Sequence, residues 1–166
     1  MPLPKNILVA TDFSETSDAA LDYAVALAAL TGGSVTVMHA YELLSSPEWP
    51  MIASGDLVAQ IPIAARAALD KCVDERAASG VRFERVLRQG VPFEEVNSVA
   101  AEIDADLIVL GTHGRRGLTR ALLGSVAEHV IRTATRPVLS IHGPSVSRGS
   151  RTPEHPGDAD ALTQTL

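Results

Sequence analysis

The 166-residue chain is 46% hydrophobic, so a folded globular protein is the default, and its length gives about one domain with a sizeable core. Aromatic residues make up only 4%, and the apolar mass is Ala, Val, Leu and Ile, which suits helices on a buried sheet and not a surface for stacking bases. The formal net charge of −6, with Lys5 and Lys71 the only lysines and no long basic run, argues against a nucleic-acid partner.

The start, MPLPKNILVATD, lacks the basic and apolar regions of a signal peptide. NILVAT (6–11) is continuously apolar, as a strand covered on both faces should be. Ser14 is a good helix N-cap, with Glu15 and Asp18 in the first turn, and Phe13, Ala20, Ala24, Leu27 and Ala28 recur at helical spacing. The stretch AALDYAVALAAL (19–30) carries Asp22 and is too short to span a bilayer, so no membrane partner is expected. SVTVMHA (34–40) reads as the second strand. Residues 41–56, YELLSSPEWPMIASGD, form a long loop with two prolines and the only Trp, a candidate lid.

A helix over 57–78 repeats apolar positions at Ile61, Ala65, Leu69, Cys72 and Ala77 and ends near Gly80. FERVLRQ (83–89) is half polar and reads as a strand near a sheet edge. Pro92 with Glu94 and Glu95 opens a helix through Ile103. DLIVLG (106–111) is a second continuously apolar strand. Ser125 to Thr135 makes a fourth helix that stops before Arg136-Pro137, and PVLSIH (137–142) is the last strand. Residues 144–166 shift to Pro, Ser, Gly and charge and read as a disordered tail behind one domain over 1–143. The alternation βαβαβαβαβ predicts an α/β fold with a parallel sheet. The single cysteine, Cys72, cannot form an internal disulfide, which fits a reducing compartment, and a cytoplasmic protein is expected.

In open parallel sheets, ligands sit beyond the carboxyl ends of the strands where strand order reverses. The reversal usually sets the first strand beside the fourth, so Ala10-Thr11-Asp12 would face Leu110-Gly111 across one crevice. The stretch that follows the fourth strand, GTHGRRGLTRALLGS (111–125), has glycines at Gly111, Gly114 and Gly124, with Ser125 closing it. Glycines let backbone N–H groups approach an anion, and a helix starting at Gly124-Ser125 offers free N–H groups and the positive end of its dipole. Arg115, Arg116 and Arg120 add positive charge. On chemistry alone two readings stand: a cradle for a polyphosphate, or glycines that end a strand and begin a helix for conformational reasons. There is no G-x-x-x-x-G-K-[ST], no G-x-G-x-x-G after the first strand, and no G-x-S-x-G, which argues against a P-loop NTPase, a dinucleotide-binding domain and a serine hydrolase.

The chain resembles the universal stress protein family in its ATP-binding branch. Gly111, Gly114, Gly124 and Ser125 fit the family's G-x2-G-x9-G-[ST] motif without a gap, and NILVATDFSETSDAAL, VTVMHA, RQGVPFEEV and SVAEHVIRTATRPVLSI resemble its other segments, over about residues 4–142. The resemblance implies a flavodoxin-like, Rossmann-like five-stranded parallel sheet of order 3-2-1-4-5 with helices on both faces. It also implies a homodimer in which the last strand (137–142) pairs across subunits, in keeping with the hazard of an exposed apolar edge. For the site it implies Ala10, Thr11 and Asp12 against the adenosine of ATP, and Ala40 offering backbone groups to the adenine edge. Leu110 and Gly111 would lie beside the ribose and phosphates, with Gly114, Arg115, Gly124, Ser125 and Val126 around the triphosphate and any Mg2+ that it carries.

Asp12 would repel a triphosphate unless a cation intervened, so ribose or adenine suits it better, and turning the chain into the helix with Ser14 is its structural alternative. Ser125 could serve equally as a helix N-cap. His39, His113, His129, His142 and His155 show no metal-ligand spacing; His113 lies in the glycine loop, and His129 reads as surface or packing. Cys72 reads as buried structure. No residue pair stands out as a general base for a γ-phosphate, so the expectation is a stress-response or signalling module that binds an adenine nucleotide with slow or no hydrolysis, not an enzyme. The alternatives are an ATPase or nucleotidyl-transferring enzyme of related fold, and a dimeric scaffold that keeps the glycines without a ligand.

Overall fold

The computed structural model describes residues 3–42, 55–112 and 124–142; the tail and residues 43–54 of the expected loop lie outside the described residues, while Tyr41 at one end of that loop belongs to a strand and Gly55 and Asp56 at the other to a helix. In chain order the elements are β1 (Asn6–Ala10), α1 (Glu15–Thr31), β2 (Ser34–Tyr41), α2 (Gly55–Asp74), a 3-10 turn (Ala77–Ser79), β3 (Arg82–Gln89), α3 (Pro92–Glu102), β4 (Leu107–Gly111), α4 (Ser125–Thr133) and β5 (Val138–Ile141). The five strands pair in parallel in the order β3-β2-β1-β4-β5, the expected flavodoxin-like arrangement. The half-polar β3 is an edge strand, as its sequence implied.

Period-two alternation divides the core into two layers. Ile7, Val9, Val35, Val37 and Val109 face α1 and α2, where they meet Leu21, Ala24, Ala28, Leu69, Cys72 and Val73. Leu8, Met38, Ile108 and Leu110 face α3 and α4, against Val96, Val99, Ala100, Ala127 and Val130. Burial of both faces is why β1 and β4 read as unbroken apolar runs. No described helix is long and apolar enough to cross a membrane.

Three expectations need correction. The helix placed at 57–78 runs from Gly55 to Asp74, and a separate 3-10 turn follows it. Ala77 falls beyond it and Ile61 lies within it off the buried face, so both are exposed, and the buried stripe is Ala65, Leu69, Cys72 and Val73. The fourth helix ends at Thr133, where the amide of Ala134 bonds to Val130 and extended backbone then leads to Pro137. Phe13 is not on a helix face: it precedes the Ser14 cap with a φ of +62°, in the left-handed region.

Side chains fix how the elements meet. Arg76 reaches from beyond α2 to Asp22 at 2.6 Å and Asp18 at 3.6 Å on α1, while its Nη1 donates to the carbonyl of Cys72 at 2.8 Å. At the opposite end of the sheet from the strand carboxyl termini, Asp106 Oδ2 accepts the backbone N–H groups of Lys5 and Asn6, both at 2.9 Å, tying the entry of β1 to β4. Those two N–H groups, Lys5 first, hold the Asp106 carboxyl below its ordinary value of 3.8. A depressed folded value means the stabilisation is complete above the ordinary value and is lost as pH falls through the folded one. Asp106→Ala is expected to lower the unfolding free energy by about 1 kcal/mol at neutral pH, the small end for charged hydrogen bonds because the site is exposed. Urea titrations of both proteins at decreasing pH are expected to show that difference vanish once the carboxylate is protonated.

Candidate functional site

Crossing from β3 to β4 reverses the direction of sheet growth, so the switch point lies between β1 and β4. Ala10 pairs in register with Met38 on one side and Leu110 on the other, which brings the ends of β1, β2 and β4 to one edge. Ala10 and Ala40 both pack on the α3/α4 face of the sheet.

The β1–α1 turn is held by a chain of hydroxyls. The backbone N–H of Thr11 donates to Met38 at 2.9 Å, continuing the ladder past β1. Ser17 Oγ donates to the carbonyl of Ser14 at 2.9 Å, so in its 3.0 Å contact with Thr11 the threonine hydroxyl is the donor. Thr11 Oγ1 in turn accepts the N–H of Phe13 at 3.0 Å. Asp12 Oδ1 accepts from the hydroxyl of Ser14 at 2.6 Å and from its N–H at 3.1 Å. Asp12 thus fills the turn-forming role that stood as its structural alternative. Ser14 and Ser17 complete a reciprocal capping box on α1.

On the other side of the crevice, the N–H of Gly124 donates to the carbonyl of Thr112 at 2.7 Å. Thr112, 1% exposed, is itself fixed by its N–H to Ile141 at 2.9 Å. The ends of the glycine-containing segment are therefore joined, and the start of α4 is seated at the carboxyl end of β4. Gly124, not Ser125, is the N-cap of α4, and it makes no side-chain cap hydrogen bond. Ser125 and Val126 are the first exposed helical residues. His129 Nδ1–H donates to the carbonyl of Ser125 at 2.7 Å and its ring stacks on Phe93 at 4.8 Å, the packing role expected of it. Gly114, Arg115 and His113 lie outside the described residues.

The two described glycines of the motif differ. A Cβ on Gly111 would lie 2.9 Å from the backbone carbon of Thr16 and 3.0 Å from the N of Ser17, so this glycine admits the start of α1 against β4. Gly124 has φ −58° and ψ 145°, values open to any residue, so backbone conformation does not account for glycine there.

Sequence reasoning passed over His39, whose Nδ1–H donates to the carbonyl of Thr11 at 2.7 Å, and the buried hydroxyls of Ser17 and Thr112. For His39 and Thr112 the signal was a polar residue at or just past a strand end, and for Ser17 a hydroxyl three residues after the N-cap Ser14. Cys72 is buried as expected; burial pushes its thiol up despite the opposing pull of Arg76. Among the described residues no group of three or more His, Cys, Asp or Glu side chains could hold a metal ion.

The model of the universal stress protein family matches residues 4–142. Universal stress protein MJ0531 of Methanocaldococcus jannaschii is 34% identical over 143 residues, covering 86% of this chain and 84% of that protein. The solved structure of the protein MJ0577 superposes with a TM-score of 0.73 at 30% identity, covering 84% of this chain and 96% of that one. A universal stress protein in complex with cAMP superposes with a TM-score of 0.65 at 28% identity, covering 85% and 98% of the two chains. One from Archaeoglobus fulgidus in complex with dAMP gives 0.60 at 27%, covering 84% and 98%.

Gly111→Ala is expected to destabilise the protein by roughly 1–3 kcal/mol, because the new methyl group meets backbone that must shift. Equilibrium denaturation measures it; an unchanged midpoint would show that α1 and β4 can part at no cost.

Proposed function

Because the chain belongs to the universal stress protein family, we propose that it binds an adenine nucleotide at the carboxyl edge of β1, β2 and β4 and works as a nucleotide-responsive stress or signalling module. The observation that carries this reading is the seat of α4: the Thr112–Gly124 hydrogen bond sets a helix N-terminus whose N-cap is a glycine, with no side-chain cap among the described residues, beside the switch point. Such an end presents N–H donors and partial positive charge to a phosphate. The cAMP and dAMP held by two structural relatives share an adenine and a phosphate, which this edge could receive at its two ends.

In this reading Ala10, Thr11 and Asp12 contact the adenosine, and the backbone of Ala40 meets the adenine edge. Leu110 and Gly111 flank the ribose and phosphates, and Gly124, Ser125 and Val126 hold the phosphates with Gly114 and Arg115. The motif's lack of a P-loop lysine leaves backbone groups as the main phosphate contacts. ATP is the nucleotide we favour. Any Mg2+ would arrive on its phosphates and would neutralise charge there, since the described side chains provide no cluster for it. Asp12, already engaged by Ser14, is poorly placed to act as a general base, and the reading is of binding with slow or no hydrolysis. A cytoplasmic homodimer pairing through β5, one domain ending near residue 143, completes it.

Nucleotide released from purified protein and identified by mass spectrometry tests the proposal. Gly124→Val is expected to fold, since its backbone angles suit valine, and to lose adenine-nucleotide binding by isothermal titration at least tenfold, on the order of 1.4 kcal/mol. Wild-type protein that neither carries nor binds an adenine nucleotide would overturn the reading, and so would a folded variant of undiminished affinity.

A further inference from the structure

We infer that His39 is a positioning residue for the nucleotide site, bracing the Thr11–Phe13 turn from the side of the sheet opposite Ala10 and Ala40. The inference rests on the site reading above and deepens it. Phe13 is one of two non-glycine residues with positive φ among those described, at +62°. A phenylalanine holds that conformation only where its surroundings over-determine it, at a cost on the order of 1–3 kcal/mol.

Two contacts supply that constraint from β2. The imidazole of His39 packs on the Phe13 ring with centroids 4.5 Å apart, tilted by 40°. The same imidazole meets the carbonyl of Thr11 at 2.7 Å, and because a carbonyl only accepts, Nδ1 carries the proton. One side chain therefore grips both ends of the turn that contains Asp12. Phe13 packs with the α1/α2 layer of the core, whereas Ala10 and Ala40 pack with the α3/α4 layer. His39 thus acts through the turn and not on the ligand. With the brace removed, the strained turn can relax to other conformers, and apparent affinity falls by the fraction that stays competent.

The test compares His39→Ala, His39→Asn and Leu69→Ala with wild type. Asparagine offers an amide N–H close to the position of Nδ1–H, and Leu69 on α2 is a fully buried residue of the same layer that is no part of the turn, so its loss destabilises that layer and leaves both His39 contacts in place. Each folded protein is titrated with ATP well below its melting temperature, and amide hydrogen exchange at Phe13 and Ser14 is followed without nucleotide. His39→Ala is expected to weaken ATP binding about tenfold and speed exchange at Phe13, as for a turn competent a tenth of the time. His39→Asn is expected to recover part of both effects. Leu69→Ala is expected to lower the melting temperature and leave affinity unchanged. If His39→Ala binds as wild type does, or if Leu69→Ala weakens binding equally, the positioning role is overturned. If wild type itself does not bind ATP, AMP or cAMP, the site reading fails first, and the exchange data still report whether His39 holds the turn.

Discussion

Hydrogen bonding of β1 to β2 on one side and β4 on the other is the constraint from which the rest of the molecule follows. Parallel pairing puts the carboxyl ends of all three strands on one edge, and the helices that return the chain must then cover both faces. The Asp106 carboxylate sets the β1–β4 register from the amino end, and the chain leaves both strands at matched heights. At the other end Ala10, the last residue of β1, lies level with Leu110, one residue before the end of β4, next to the place where connections diverge in opposite directions.

Stopping strands level leaves polar backbone at a semi-buried edge, and those groups must find partners. Thr11, Ser17 and Thr112, each under 7% exposed, provide them with short side chains that act much as additional backbone does. Asp12 and Ser14 repeat that economy at the first turn of α1. The two sides of the edge are unlike in consequence. The β1–α1 side is closed by a capping box, whereas the β4–α4 side begins its helix at Gly124 without a side-chain cap.

The order of elements, the parallel sheet and the edge position of β3 were legible in the sequence because each depends on local periodicity or on chain-level topology rules. The limits of α2 were harder: Ile61 and Ala77 continue the apolar spacing, but a spacing does not say where the neighbouring surface ends. Phe13 was misplaced onto the α1 face for a related reason, since a left-handed residue ahead of an N-cap leaves no trace in a 3.6-residue pattern. His39 is read only for metal-ligand spacing in the sequence, because its partner is the carbonyl of Thr11, distant in the chain and invisible as a residue type. Within the glycine motif, positions were readable and reasons were not.

That last distinction bears on how the motif can be used at all. Gly111 is required by the start of α1, which leaves no room for a methyl group, whatever occupies the crevice. A scaffold that never met a ligand would need it equally. Gly124 is under no such demand from its own dihedral angles, and its N–H closes onto the carbonyl of Thr112. One pattern of letters therefore joins a packing constraint at Gly111 to a position, Gly124, that backbone conformation leaves open. The fold alone accounts for Gly111, whereas Gly124 is the position whose glycine its backbone angles do not explain.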